Sequence, residues 1–130
     1  MKLTDDVVAL LRQPSPCYVV TLMGDGSPQV TQTWVDTDGE HVIINTVAGY
    51  VKLRNMARDP RVAVAIADPA DPSRYVQIRG RVIATTTDGG SAHIEMLAHK
   101  YTGNDYPWYG GRDQVRVLVT IAAESISGMG

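Results

Sequence analysis

The chain has 130 residues, a formal net charge of -2 and one cysteine, Cys17, and 44% of its residues are apolar. This length suits one domain with its own core, so we expect residues 1–130 to form a single domain. The acidic balance argues against nucleic-acid binding. A lone cysteine cannot form an internal disulfide, and the N-terminal stretch has acids and no long apolar run, so we expect no membrane span and a cytoplasmic location.

Helical spacing of apolar residues predicts two to three short helices. They run from the Thr4 cap to the residues before Pro14, over Val51–Arg58, and from Gly89-Gly90-Ser91 to Gly103. In the second helix, Leu53, Met56 and Ala57 share an apolar face that should pack on a sheet. Lys52 and Asn55 lie on a different face, which we expect to be exposed.

Alternating apolar and polar residues predict six to seven strands. They are Cys17–Met23, Gln29–Val35, His41–Thr46, Val62–Ala67, Arg74–Thr85 and Val115–Ala122, with a short strand possible at Ser125–Ser127. Asp38-Gly39 is a hairpin signal, and Gly80 inside the longest strand predicts a bulge. The nearly all-apolar segment Val62–Ala67 predicts a strand buried on both faces. The pattern indicates a mainly β, α+β fold: a small antiparallel barrel.

Four cationic residues, Lys52, Arg54, Arg58 and Arg61, fall within ten residues of an otherwise acidic chain. A local cluster of this kind indicates one specific anionic ligand. The segment Arg58-Asp59-Pro60-Arg61 can also be a solvated helix end with local ion pairs, and for Arg61 we expect this role instead of ligand binding.

Four segments carry a family resemblance: GSPQVTQTWV, NTVAGYVKLRNMARDPRVAVAI, RYVQIRGRV and HIEMLAHKYTGNDYPW. They resemble the pyridoxamine 5'-phosphate oxidase-like split β-barrel superfamily and, more narrowly, its actinobacterial branch that depends on the deazaflavin coenzyme F420. The resemblance spans nearly the whole chain. It implies an antiparallel split β-barrel that forms a homodimer, with two equivalent cofactor sites at the subunit interface.

The resemblance also implies which residues form the site. Lys52 and Asn55 would hold the phosphate or the acidic tail of the cofactor, while one face of the second strand would border its ring. The implied cofactor-binding residues are Gln29, Thr31, Thr33, Thr46, Tyr50, Lys52, Arg54 and Asn55. The substrate pocket and dimer interface would include Tyr75, Tyr106 and Trp108, beside Tyr109. The resemblance does not identify the general acid: Tyr50 and Tyr106 are candidates, and solvent is the alternative.

The implied activity is that of an F420-dependent oxidoreductase that transfers a hydride between the cofactor and a small conjugated organic acceptor. Two alternatives stay open: an FMN-binding oxidase or reductase of the same fold, and a non-catalytic protein that stores F420. Tyr50 stands where family members commonly carry an arginine. Tyrosine keeps one donor but loses a bidentate contact, which favours either a shorter tail, as in FMN, or tail contacts from Arg54 or Arg58.

Other conspicuous residues have structural interpretations. Trp34 is expected to be a core or interface anchor, and Cys17 a small buried apolar residue. The histidines His41, His93 and His99 show no ligand spacing with the cysteine or with nearby acids, so we expect no metal site.

Overall fold

The computed structural model describes residues 1–128, which form seven antiparallel strands and three helices. The helices are α1 (Asp5–Arg12), α2 (Val51–Arg58) and α3 (Gly90–Thr102). The strands are β1 (Cys17–Leu22), β2 (Pro28–Thr33), β3 (Val35–Thr37), β4 (Val42–Val47), β5 (Arg61–Ala67), β6 (Tyr75–Thr86) and β7 (Arg116–Gly128). The mainly β fold predicted from the sequence is confirmed.

One sheet, in the order β2-β1-β5-β6-β7-β4-β3, curls into a half-barrel. Its two edge strands, β2 and β3, are separated in the chain by Trp34 alone. The prediction of one continuous strand over Gln29–Val35 is therefore wrong. The curl brings the two edges together, so the chain crosses from one edge to the other within a single residue. The alternation of side chains continues through the crossing and hides it in the sequence.

The core fills the inner face of the curled sheet. Val62, Val64 and Ile66 of β5 are buried there. The alternate residues of β5, Ala63 and Ala65, are only half-buried on the outer face. The prediction that this strand is buried on both faces is therefore wrong, because small alanines on a partly open outer face look as apolar as a second core face.

The bulge predicted at Gly80 is confirmed, because the register between β6 and β7 shifts between Arg79 and Gly80. A Cβ atom on Gly80 would lie 2.1 Å from the carbonyl oxygen of Ala122, so only glycine fits at this crossing. The partner strand β7 continues through this region as one strand. The predicted break between Val115–Ala122 and Ser125–Ser127 is wrong.

Helices α1 and α3 form as the sequence predicts. The Thr4 hydroxyl accepts a hydrogen bond from the Val7 amide at 3.3 Å, and Gly103 ends α3 with a positive φ of 77°. None of the helices in residues 1–128 combines the length and the apolar composition that a membrane crossing requires.

Helix α2 has the predicted bounds but not the predicted faces. Lys52 and Asn55, expected to be exposed, are only 9% and 2% exposed, whereas Ala57 is exposed. The reason is that α2 packs against β1, so its amide-bearing face is turned toward Thr21 and Met23. Met56 is buried as predicted.

Candidate functional site

A cavity of about 490 Å³ lies where β4 ends, α2 begins and β7 starts. This volume is within the range of small-molecule and cofactor pockets. It is lined by Pro14, Pro16, Gln32, Thr33, Trp34, Asn45, Thr46, Tyr50, Lys52, Ile94, Tyr101, Tyr106, Tyr109, Gly110, Gln114 and Arg116. Polar groups thus come from β4, α2 and β7, and aromatic groups from α3 and the loop that follows it.

The cavity has a positive electrostatic character. Lys52 and Arg116 line it, and no aspartate or glutamate does. The Lys52 ammonium makes no hydrogen bond or ion pair with any other group of residues 1–128, although the residue is only 9% exposed. Burial lowers the pKa of Lys52, and the neighbouring charge of Arg116 acts in the same direction. A buried cation without a partner indicates a place for an anionic ligand.

Two further polar atoms of cavity-lining residues lack a partner among the described residues. They are Thr46 Oγ1 and Arg116 Nε, both shielded from solvent, and Thr46 is only 2% exposed. A buried polar atom without a hydrogen bond costs about 1–3 kcal/mol, so an unpaired group is an exception that needs an explanation. A ligand with acceptor oxygens would satisfy the Arg116 donor, and the Thr46 hydroxyl can donate as well.

Arg116 is held in place by two neutral groups. Its Nη1 donates to Asn45 Oδ1 at 3.4 Å, its Nη2 contacts the Tyr106 hydroxyl, and its guanidinium carbon lies 4.9 Å from the centre of the Tyr106 ring. The sequence interpretation missed Arg116. The available signal is an arginine inside the apolar strand VRVLVTIA, where alternation directs it away from the core residue Val117.

Aromatic side chains form another wall of the cavity. Trp34 stacks on Tyr101, with ring centres 5.3 Å apart and an interplanar angle of 14°, and Tyr106 meets Trp34 edge-on at 6.2 Å. Burial raises the pKa of Tyr101, so its hydroxyl stays neutral. Trp34 is thus both an anchor and a lining residue. Tyr106 is itself buried, with 8% exposure.

Glu95 of α3 holds the loop that carries Tyr106 and Trp108 in place by two hydrogen bonds. One carboxylate oxygen accepts the Tyr106 amide at 3.0 Å and the other accepts Trp108 Nε1 at 2.7 Å. Trp108 has a positive φ of 52°, and the Arg112 guanidinium lies 5.3 Å from its ring centre. The loop is therefore held in a conformation that is strained for a bulky residue.

Tyr50, at the N-cap position of α2, lies at the mouth of the cavity and is 48% exposed. Its hydroxyl accepts a hydrogen bond from Gln114 Nε2 at 3.2 Å. This bond joins the start of α2 to the loop before β7 across the cavity.

Some residues implied by the family resemblance line the cavity and others do not. Those that line it are Thr33, Thr46, Tyr50, Lys52 and Tyr106, and those that do not are Gln29, Thr31, Arg54, Asn55, Tyr75 and Trp108. Arg54 and Tyr75 are exposed elsewhere on the surface. The role of each in ligand binding stays a prediction.

Asn55 has its hydrogen-bonding capacity taken up within the fold. Its Nδ2 donates to Thr21 Oγ1 at 3.0 Å and to Met23 Sδ at 3.3 Å, and its Oδ1 accepts from Arg58 at 2.7 Å. Thr21 in turn donates to Gln29 at 3.2 Å. The network connects α2 to β1 and β2. The local ion pairing expected for Arg61 is confirmed: its Nη2 lies 2.7 Å from Asp59 Oδ2.

The histidines have acidic neighbours that sequence spacing does not reveal. Ligand atoms of Glu95, His99 and Asp105 lie within 4.8 Å of one another, and His99 Nε2 is 2.8 Å from Asp105. This cluster forms by folding, and the spacing of its residues in the sequence does not indicate it. Both Glu95 oxygens are already bound to the aromatic loop, and the absence of a metal site stays a prediction. Cys17 is buried as expected, and burial raises its pKa to about 12.

Comparison with protein-family models identifies the family of this chain. The family model described as pyridoxamine 5'-phosphate oxidase matches residues 3–129. The chain belongs to this family. The superfamily resemblance inferred from the sequence is therefore confirmed. The comparison with curated proteins found no match to this chain.

Solved structures of similar fold extend the comparison. An F420 reductase is 28% identical, with a TM-score of 0.83 over 96% of this chain and 98% of that one. A structure described as a putative pyridoxamine 5'-phosphate oxidase from Listeria innocua is 20% identical, with a TM-score of 0.69 over 96% of both chains. A conserved hypothetical protein from Mycobacterium tuberculosis is 20% identical, with a TM-score of 0.74 over 98% of this chain and 84% of that one. The last two show the fold alone.

Proposed function

We propose that this protein binds coenzyme F420 in the cavity described above and is an F420-dependent oxidoreductase that acts on a small conjugated organic acceptor. The observation that carries the proposal is the buried residue Lys52, which lines the cavity and whose ammonium has no partner among residues 1–128. The similarity to an F420 reductase supports it.

The cavity residues fit both ends of such a cofactor. Lys52, Thr46 and Arg116 supply a point charge, a hydroxyl and a guanidinium for phosphate oxygens, which charge-assisted hydrogen bonds favour. Trp34 and Tyr106 supply apolar faces for a planar ring. The absence of a carboxylate among the lining residues removes the repulsion that an anion would otherwise meet.

Each chain residue has a proposed task. Lys52, Thr46 and Arg116 bind and orient the anionic part, and Thr33 borders the ring from the end of β2. Asn55 and Gln29 act indirectly, because their side chains fix α2 against the first two strands. F420, when bound in its reduced form, supplies a hydride to the acceptor.

Two further tasks, keeping water out of the cavity and supplying a proton, are proposed for the aromatic residues. The Tyr106 hydroxyl is buried and contacts Arg116, whereas the Tyr50 hydroxyl is half exposed at the mouth of the cavity. We propose these two hydroxyls as the groups that hold a proton near an acceptor.

The deciding experiment is titration of the purified protein with F420 and with FMN side by side, read by ligand fluorescence. We expect F420 to bind more tightly than FMN. The variant Lys52→Ala should bind F420 at least about tenfold more weakly, because a charge-assisted contact to a phosphate is worth about 1.5–3 kcal/mol.

Lys2→Ala is the control, since Lys2 is an exposed cation that does not line the cavity and that the family resemblance does not implicate. Its affinity should stay within about twofold of the parent protein, as expected for a screened surface charge. Unchanged F420 affinity in Lys52→Ala would remove the assignment of the cavity. Tighter binding of FMN would favour the flavin alternative. Tight F420 binding without turnover of enones or quinones would favour a storage role.

A further inference from the structure

A chain of hydrogen bonds connects Asp36 of β3 to Arg116, which lines the cavity. His93 of α3 has Nε2 3.0 Å from Asp36 Oδ2 and Nδ1 3.1 Å from Asn45 Nδ2. Asn45 Oδ1 then accepts from Arg116. The side chains of His93 and Asp36 are only 10% and 21% exposed, so this connection is largely shielded from water.

The partners of Asn45 fix the direction of its amide. Asn45 Nδ2 lies 3.0 Å from the Gly90 carbonyl oxygen, which can only accept, so the nitrogen end must face Gly90 and His93. The oxygen end then faces Arg116, which can only donate. His93 Nδ1 consequently accepts a hydrogen bond from Asn45 Nδ2–H, and His93 Nε2–H donates to Asp36.

The charge arrangement along this chain favours an anion in the cavity. Arg116 is held by the neutral groups of Asn45 and Tyr106, and it has no carboxylate partner among residues 1–128. The negative charge of Asp36 is separated from Arg116 by His93 and Asn45. Burial opposes ionisation of Asp36, but the hydrogen bonds from His93 and the Thr37 amide outweigh it, and its pKa is lowered.

We infer that Asp36, His93 and Asn45 are positioning residues that orient the Arg116 guanidinium toward the anionic part of the ligand, and that protonation of His93 uncouples them. This inference rests on the proposed function, because it assigns a purpose to Arg116 as a ligand-binding cation. A second proton on the imidazole would sit on Nδ1 and face the Asn45 amide hydrogens, so a donor would oppose a donor. Asn45 would lose the bond that sets its direction, and Arg116 would lose its support.

The charged groups that reach this network come from three elements. Asp36 approaches from β3 and Arg116 from β7, while Lys100, on the same helix as His93, acts on Asp36 by its charge. A carboxylate beside an imidazole stabilises the protonated form of the ring. Removal of the Asp36 charge should therefore shift the uncoupling to lower pH.

The test is the F420 affinity from about pH 5 to about pH 8, the interval over which histidine side chains change charge. The parent protein should lose affinity toward acid by about three- to tenfold, the range that one hydrogen bond supplies. His93→Asn keeps an acceptor oxygen near the Nδ1 position and cannot titrate, so it should bind like the parent at about pH 8 and stay flat toward acid. His93→Leu should bind about three- to tenfold more weakly throughout.

Asp36→Asn keeps an acceptor for Nε2–H without the charge, so its loss of affinity should occur at lower pH than in the parent. Any pH dependence of the ligand itself is shared by all variants and cancels in the comparison. An acid loss of affinity in His93→Asn equal to that of the parent would overturn the inference. Parent-like affinity in a folded His93→Leu would do the same.

A measurement without ligand separates this inference from the proposed function. The side-chain amide resonances of Asn45, assigned by their absence in Asn45→Ala, should shift with pH in the parent protein and not in His93→Asn. If they do not shift in the parent, the positioning chain is refuted. If they shift while neither F420 nor FMN binds, the proposed function fails and the chain stands as a property of the fold.

Discussion

At the scale of single residues, Lys52 stands out because folding places its charge where water is scarce. Its pKa in the folded protein lies below the ordinary value of 10.5, since burial disfavours the charged form. Just below pH 10.5 the unfolded chain therefore binds more protons than the folded chain, and the free energy of unfolding should rise with pH in that interval. An anionic ligand would reverse this preference, because it stabilises the ammonium.

Lys52→Met should separate stability from binding. Methionine fills a similar volume without a charge, so we expect the unliganded variant to gain about 1 kcal/mol in the free energy of unfolding, because a buried uncompensated charge is removed. The same variant should lose at least about tenfold in F420 affinity. Urea unfolding and ligand titration measure the two effects.

Lys2→Met is the control for Lys52→Met, because it removes an exposed charge that lies outside the cavity lining. It should leave the free energy of unfolding within about 0.5 kcal/mol and the affinity unchanged. A Lys52→Met protein that is less stable than the parent and binds F420 equally well would show that the ammonium has a structural task instead.

At the scale of elements, the aromatic loop after α3 depends on Glu95. This carboxylate holds Tyr106 and Trp108 by two hydrogen bonds, and Tyr106 in turn contacts Arg116. We expect Glu95→Ala to release the loop, because the strained backbone of Trp108 then loses its main polar support. Trp108 emission, recorded in a Trp34→Phe background, should shift to longer wavelength, and F420 affinity should fall several-fold.

Glu95→Gln serves as the comparison for this loop. Its amide oxygen can still accept one of the two hydrogen bonds, so its emission should lie between those of the parent and of Glu95→Ala. Identical emission in all three proteins would mean that the loop is held by its packing and not by Glu95.

The helix bounds and the Gly80 bulge follow from local signals, which is why the sequence predicts them. The cap at Thr4, the left-handed Gly103 and the glycine opposite Ala122 each act within a few residues or across one strand pair. Burial of the polar face of α2 depends on packing against β1, which is distant in the chain. The sequence does not predict Arg116 as a site residue, because an arginine on the alternate face of a strand normally points to solvent.

At the scale of the whole molecule, the outer face of the sheet carries apolar groups. Tyr18 is 44% exposed and Val30 is 62% exposed, beside the half-buried Val20 and Ala65 that pair with neighbouring strands. Exposed apolar patches of this kind are typical of interaction surfaces. The family resemblance implies a homodimer, and we propose this face as part of its interface.

Val30→Lys should weaken that dimer, because it places a charge on an apolar patch. We expect the parent protein to sediment as a dimer at micromolar concentration and the variant to shift toward monomer in analytical ultracentrifugation. Met96→Lys, which alters an exposed apolar residue on α3, should leave the parent's association state unchanged. A parent protein that sediments as a monomer would contradict the homodimer.

The position of Trp34 couples the cavity to the closure of the half-barrel. Trp34 joins the two edge strands of the sheet and also lines the cavity. Any fluctuation that separates β2 from β3 must move this indole and break its stack on Tyr101. A ligand packed against Trp34, as proposed above, would therefore oppose separation of the two edges. Occupancy of the cavity should suppress opening of two strands that share no hydrogen-bond ladder.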